Sequence, residues 1–400
     1  MMGHPTNTAA PTGSGTGAPT APEAAASGAR VQRDRWLKRL LAMGMGLVVA
    51  ACSAELLVQL ILGEQVKFPR HVVEASFGLR YNEPNAYYRH KSADGVWYFK
   101  INGEGMRADR DYSPTKPPHT FRIVSLGDSF TIGYEVAEKE CFSRVLEEEL
   151  RSNGLEVEVL NCGVSGYSNA EELLYLEREL LGYHPDIVLV SFFYNDLDDN
   201  VRSGLFGLDG DRLVATNERY VPGGALANYL NRSMVFSFLA GYSNAFALVK
   251  ERMTLLMRES MVEENEANLA KAQPGATDGK AGPDGVSEDR IREQKLAAAI
   301  LERMYTVLSE RGIPLIIQSI PTYDFVDVFP VQFFDTTRPG ITYLPMKPLL
   351  QPLAQQTLMY HEHSHAHWTA PAHEISGKAI AAAILREKLL ARRAAADGGP

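Results

Sequence analysis

Cysteine is scarce, with three in 400 residues. So few exclude a disulfide framework, and Cys52, Cys141 and Cys162 do not have the spacing of a zinc site. Cys141 at the start of a helical pattern and Cys162 at a strand end read as packing residues. Positive charge is also in short supply, with 40 Lys and Arg against 49 Asp and Glu and a formal net charge of −9. A nucleic-acid partner, which calls for a basic patch or stripe, is not expected. The first 30 residues hold hardly any large apolar side chain. Such a stretch cannot offset the entropy of ordering itself, so residues 1–36 read as a disordered tail with a basic end. No internal repeat is visible.

The basic end consists of Arg30, Arg33, Arg35, Lys38 and Arg39, and a mostly apolar run from Leu40 to Gly63 follows it. About 20 residues suffice to span a bilayer at helical rise, so residues 37–63 read as a transmembrane anchor. The cations on its amino side place the N-terminus in the cytoplasm and the rest of the chain outside. Glu55 is the costly residue in this run, and it reads as neutral or drawn to the interface rather than functional. Val49-Ala-Ala-Cys52 resembles a lipoprotein cleavage site, but the run stays apolar beyond Cys52, which favours an uncleaved anchor.

Residues 64–120 read as an irregular lead-in with one strand-like patch, Val96–Ile101, and no evident chemistry. From residue 121 strand and helix patterns alternate, the mark of a parallel sheet with helices on both faces. Strands are expected at 122–126, 155–160, 187–193 and 314–320, with a short one at 341–344 and a last helix at about 374–391. The fold class is therefore α/β, a flavodoxin-like three-layer α/β/α domain over residues 121–392. It carries an N-terminal transmembrane helix and an insert at about 200–287. That insert is far longer than a usual α/β connection. It reads as helical and apolar first, then as a mobile polar loop, and a lid over the site is the expected role.

In open α/β sheets ligands bind beyond the carboxyl ends of the strands, at the point where strand order reverses. Gly127-Asp-Ser129 closes the first strand, Asn161-Cys-Gly-Val-Ser-Gly166 the second and Tyr194-Asn-Asp196 the third. His367-Trp-Thr369 follows the last, and His373 reads as an opener or cap of the final helix. A serine at a strand end becomes a nucleophile when a base and oxyanion donors arrive from neighbouring strands. His361, His363, His365 and His367 alternate and would share one face of an extended segment. A metal site there is the lesser alternative, because closed zinc sites draw ligands from separate elements.

With Ile101-Asn-Gly-Glu-Gly-Met-Arg107 and Ala54-Glu-Leu-Leu57, these motifs make the chain resemble membrane-anchored bacterial SGNH (GDSL-type) hydrolases over about residues 37–390. The resemblance implies Ser129 as nucleophile, His367 as general base, and an oxyanion hole from the backbone N–H groups of Ser129 and Gly166 with the Asn195 amide. It implies no cofactor and no metal. The family's aspartate two or three residues before the histidine is missing, replaced by His365 and Ser364. Glu362, the nearest upstream carboxylate, could orient the ring if the segment bends; the other readings are a ring with no acidic partner and a carboxylate from elsewhere in the chain. The expected function is a membrane-anchored, extracytoplasmic serine esterase or O-acyltransferase. Its substrates would be small acyl (acetyl) esters, including acylated glycans of the envelope or secreted polysaccharide. The alternative is a weakened SGNH-fold module that binds glycan or lipid. Oligomeric state is not readable from the sequence.

Overall fold

Strands β5 (Phe121–Leu126), β6 (Val157–Asn161), β7 (Ile187–Phe192), β10 (Leu315–Ser319) and β11 (Ile341–Pro345) form one parallel sheet in the order β6-β5-β7-β10-β11. The computed structural model describes residues 21–63, 65–67, 72–221, 229–230, 233–253, 255–256, 288–363 and 366–390. It divides into two units, Met1–Ile61 and Leu62–Pro400.

Among the described residues of the first unit the backbone is one helix, α1, which runs Ala21–Leu62. Its stretch Arg35–Leu62 is long and apolar enough to cross a membrane, and a signal sequence has the same character. Residues 21–36, expected to be disordered, are helical instead. Their alanines are the strongest helix formers and need no tertiary contact to favour that state. Residues 1–20 of the expected tail lie outside the described residues.

In the second unit, the alternation of side chains along each strand feeds two cores. Val124, Leu126, Val188, Val190, Leu315 and Ile317 face α4 (Asn169–Arg178) and the helix Glu288–Ser309, which contributes Leu296, Ile300, Leu301, Met304 and Leu308. Ile123, Ile187, Leu189 and Ile316 face α3 (Phe142–Ser152) and the final helix Ala370–Glu387. Helices therefore cover both faces, and the strand order in sequence terms is 2-1-3-4-5, the doubly wound flavodoxin-like arrangement. Strand order reverses between β5 and β7, so the crevice opens above their carboxyl ends.

The final helix packs on α3 at close range. A Cβ added at Gly377 would lie 2.7 Å from the Val145 Cβ and 2.8 Å from the Phe142 carbonyl oxygen. Gly377→Ala is expected to lower stability by about 1–3 kcal/mol through overpacking. A drop in thermal midpoint of several degrees checks this, and an unchanged midpoint would contradict it.

The lead-in is more regular than its sequence suggests. β1 (Val72–Glu74) pairs antiparallel with β2 (Arg80–Asn82), and β3 (Tyr87–Ser92) with β4 (Gly95–Lys100). The second hairpin buries Tyr88, His90 and Phe99, with Tyr88 stacked on Phe99. In the insert, β8 (Phe206–Asp209) and β9 (Arg212–Ala215) form a hairpin, and a helix covers Met234–Tyr242. The expected mobile loop near 263–285 lies outside the described residues.

Candidate active site

β5 hands the chain to a turn that has no room for side chains. A Cβ at Gly127 would fall 2.0 Å from Thr131 Oγ1. Asp128 then caps the short helix α2 (Ser129–Ile132), its Oδ1 accepting the Phe130 N–H at 2.9 Å. Burial pushes the Asp128 carboxyl up to about 7, against the opposing pull of that N–H. Ser129 is thereby left at the first helical position, partly open to solvent, with Asp128 and Phe130 buried on either side.

The serine Oγ lies 2.9 Å from His367 Nε2. His367 follows Ala366, whose φ of 53° turns the chain inward, and Trp368 beside it is fully buried. Rings of Tyr134 and Phe130 stand 5.1 and 5.2 Å from the imidazole. Burial lowers the His367 pKa below its ordinary value, and the neighbouring Glu135 carboxylate opposes that shift. The ring is therefore held neutral and able to accept a proton.

Behind the ring stands Glu135. Its Oε2 is 3.7 Å from His367 Nδ1, an ion-pair distance rather than a formed hydrogen bond. Apo sites often show such loosened geometry. Its Oε1 is 3.2 Å from His90 Nε2, and its backbone carbonyl 3.0 Å from His361 Nε2. Glu135 itself sits at φ 64°, a conformation uncommon for a residue with a side chain. Arg107 braces this turn from inside. Its guanidinium donates to the carbonyls of Ile132 (2.6 Å), Gly133 and Val136 (2.8 Å) and lies over the Phe99 ring.

This corrects the expectation for the acid. Glu362 is exposed, and the carboxylate at the imidazole is Glu135, which comes from the turn after the serine helix. Tyr360 and Trp368 pair as an antiparallel bridge, and the His361 N–H donates to the His367 carbonyl at 2.9 Å. His361 is drawn onto the Glu135 carbonyl while His363 points outward. Ser364 and His365 lie outside the described residues. Among the described residues no cluster of His, Cys, Asp and Glu is arranged to hold a metal ion.

Gly166 lies in the loop after β6, at φ 72°, with its carbonyl held by the Arg80 guanidinium. The same loop is pinned at Gly163, where a Cβ would come 2.3 Å from the Ile132 nitrogen, and at Asn161, whose amide donates to the Thr131 carbonyl at 2.7 Å. Asn195 opens α5 (Asn195–Ser203) beyond β7, beside the crevice. Its Nδ2 donates to Asp199 at 3.0 Å, and the amide also holds down the pKa of Asp128. His373 is in the first turn of the final helix, stacked on Phe142, with Nδ1 accepting the Phe142 N–H. Burial lowers its pKa to about 3, so it is a neutral packing residue. The residues that sequence reasoning missed are Glu135, His90 and Arg107 in its bracing part. Only Arg107 had a trace there, as the last residue of a recognised motif.

No protein-family model matches the chain. It is similar to an arylesterase of Vibrio mimicus, at 31% identity over 75 residues, 19% of this chain and 38% of the arylesterase. Among solved structures it is similar to a Clostridium thermocellum family 3 carbohydrate esterase (12% identity, TM-score 0.35, covering 68% of this chain and 99% of that one). A two-domain esterase active on acetylated mannans is similar too (10% identity, TM-score 0.36, 68% of this chain and 50% of that one). The chain thus spans less than two-fifths of the curated relative and half of the mannan esterase.

Proposed function

We propose that the chain is a serine ester hydrolase of the SGNH kind, with Ser129 as nucleophile, His367 as general base and Glu135 as the acid that orients the base. The observation that carries this reading is the 2.9 Å approach of His367 Nε2 to Ser129 Oγ at a doubly wound switch point. A neutral imidazole takes the serine proton as Oγ attacks the ester carbonyl, and returns it to the departing alkoxide. The acyl-serine is then released to water, or to a sugar hydroxyl in the transferase version of the same chemistry. The backbone N–H groups of Ser129 and Gly166 with Asn195 Nδ2 serve as oxyanion donors. Donation by Asn195 competes with its hold on Asp199 and Asp128.

The substrates are small acyl esters, acetyl esters of glycans among them; the rings of Phe130 and Tyr134 stand beside the base, and Phe193 packs on Phe130. Residues from about 64 onward lie outside the cytoplasm in this reading, anchored by the apolar helix. The alternative of a weakened binding module rests on the missing aspartate, and the Glu135 carboxylate 3.7 Å from His367 Nδ1 supports the hydrolase reading over it.

The test is labelling and turnover. A fluorophosphonate probe should label wild type and leave Ser129→Ala unlabelled, and p-nitrophenyl acetate should turn over faster than the octanoate. Equal labelling of both proteins would overturn the nucleophile, and a preference for octanoate would overturn the acyl-size assignment.

A further inference from the structure

We infer that His90, carried by the β3–β4 hairpin of the lead-in, is a positioning residue of the catalytic centre: it clamps one oxygen of Glu135 so that the other addresses His367. The inference rests on the proposed serine mechanism and adds to it a fourth member from outside the α/β domain.

The geometry is a continuous line of polar contacts. Ser129 Oγ meets His367 Nε2, His367 Nδ1 faces Glu135 Oε2, and Glu135 Oε1 meets His90 Nε2. Both ends of the second ion pair are about 99% and 98% buried, so no solvent competes for the carboxylate. A carboxylate can turn about its side-chain torsions, and here Glu135 Oε1 is met by His90 Nε2 at 3.2 Å. His90 fixes that rotation because its own ring is locked between Trp97, Phe99 and Tyr134. His361 fixes the backbone of the same residue by bonding its carbonyl, and its ring packs edge-on against Trp97. The hairpin thus meets the acid's side chain through His90, while His361, packed on the hairpin's Trp97, meets its main chain.

The clamp also has an electrical consequence. The titratable groups packed against His90 are Glu135 and Tyr134 from the turn after α2, and His90 and His361 both act through space on His367. His90, beside the carboxylate, acts coulombically on His367 in the direction that lowers the base's pKa. An uncharged donor in its place keeps the bond and loses that effect.

The experiment compares full-length wild type, His90→Ala and His90→Gln on p-nitrophenyl acetate across pH, with Ser129→Ala as the baseline. Loss of the clamp should reduce plateau kcat about 10–100-fold, since small misplacements of a catalytic group cost up to about 10²-fold, with KM little changed. Glutamine, whose amide N–H can replace the imidazole N–H, should restore most of kcat, and its acid limb should sit at higher pH than wild type. Wild-type kcat and pH profile in His90→Ala would overturn the clamp. So would equal losses in both variants that follow a lowered melting temperature. If Ser129→Ala turns over like wild type, the serine mechanism itself fails and the clamp with it. A dead Ser129→Ala beside a fully active His90→Ala removes the clamp alone.

Discussion

Glu135→Gln is expected to lower kcat by about 10⁴, the loss seen when a serine protease exchanges its orienting acid for the amide. A glutamine at this position offers His367 Nδ1 an N–H instead of an oxygen. The ring then settles in the tautomer that carries its proton on Nε2, where it donates to Ser129 Oγ and cannot take the hydroxyl proton. On the proposed mechanism Glu135, whose Oε2 lies 3.7 Å from Nδ1, is the carboxylate that sets the tautomer. Glu362→Gln should change turnover less than about twofold, because that side chain is solvent-exposed. Steady-state kcat on one acetyl ester, with melting temperatures as the folding control, separates the two. The assignment fails if Glu135→Gln turns over at the wild-type rate, or if Glu362→Gln shows the large loss.

His367→Ala should be more damaging still, at about 10⁶ in kcat, and adding Ser129→Ala should cost little further because the two act as a unit. The pH dependence has a definite sign. The base works only when neutral, so activity falls as pH drops through the folded pKa of His367. Burial sets that pKa below the ordinary 6.5, and Glu135 only partly offsets it. Activity should therefore persist to lower pH than an unperturbed histidine allows. A pH profile of kcat/KM checks this, and an acid limb above 6.5 would contradict it.

The sheet and the serine–histidine pair were legible because their determinants are local. β5 is a short apolar run closed by Gly127-Asp128-Ser129, and the crevice position follows from strand order. His367 could be named because Trp368 and Thr369 accompany it in a recognisable motif. Glu135 could not, since 49 acidic residues give no reason to choose one, and its contact depends on the left-handed turn that three distant groups stabilise. Arg107, His90 and His361 meet there from separate elements, and no periodicity encodes such a meeting. The hairpin that brings His90 was misread as irregular, although Ala93-Asp94-Gly95 is a turn between alternating segments. The helical start at Ala21 was missed because composition weighed against order while alanine content favoured helix.

The spacing of the centre along the chain sets the order in which a new molecule becomes competent. His90 and Glu135 are 45 residues apart, so acid and clamp can meet early, while the base is separated from the serine by 238 residues. At synthesis rates of about 5–20 residues per second, that gap corresponds to a delay on the order of 10–50 s. On the proposed assignment, the nascent chain holds Ser129 without its base throughout that interval. The Ser129–His367 pair cannot form until residue 367 has been made, so on the proposed mechanism a chain cut short before it is expected to show no Ser129-dependent turnover.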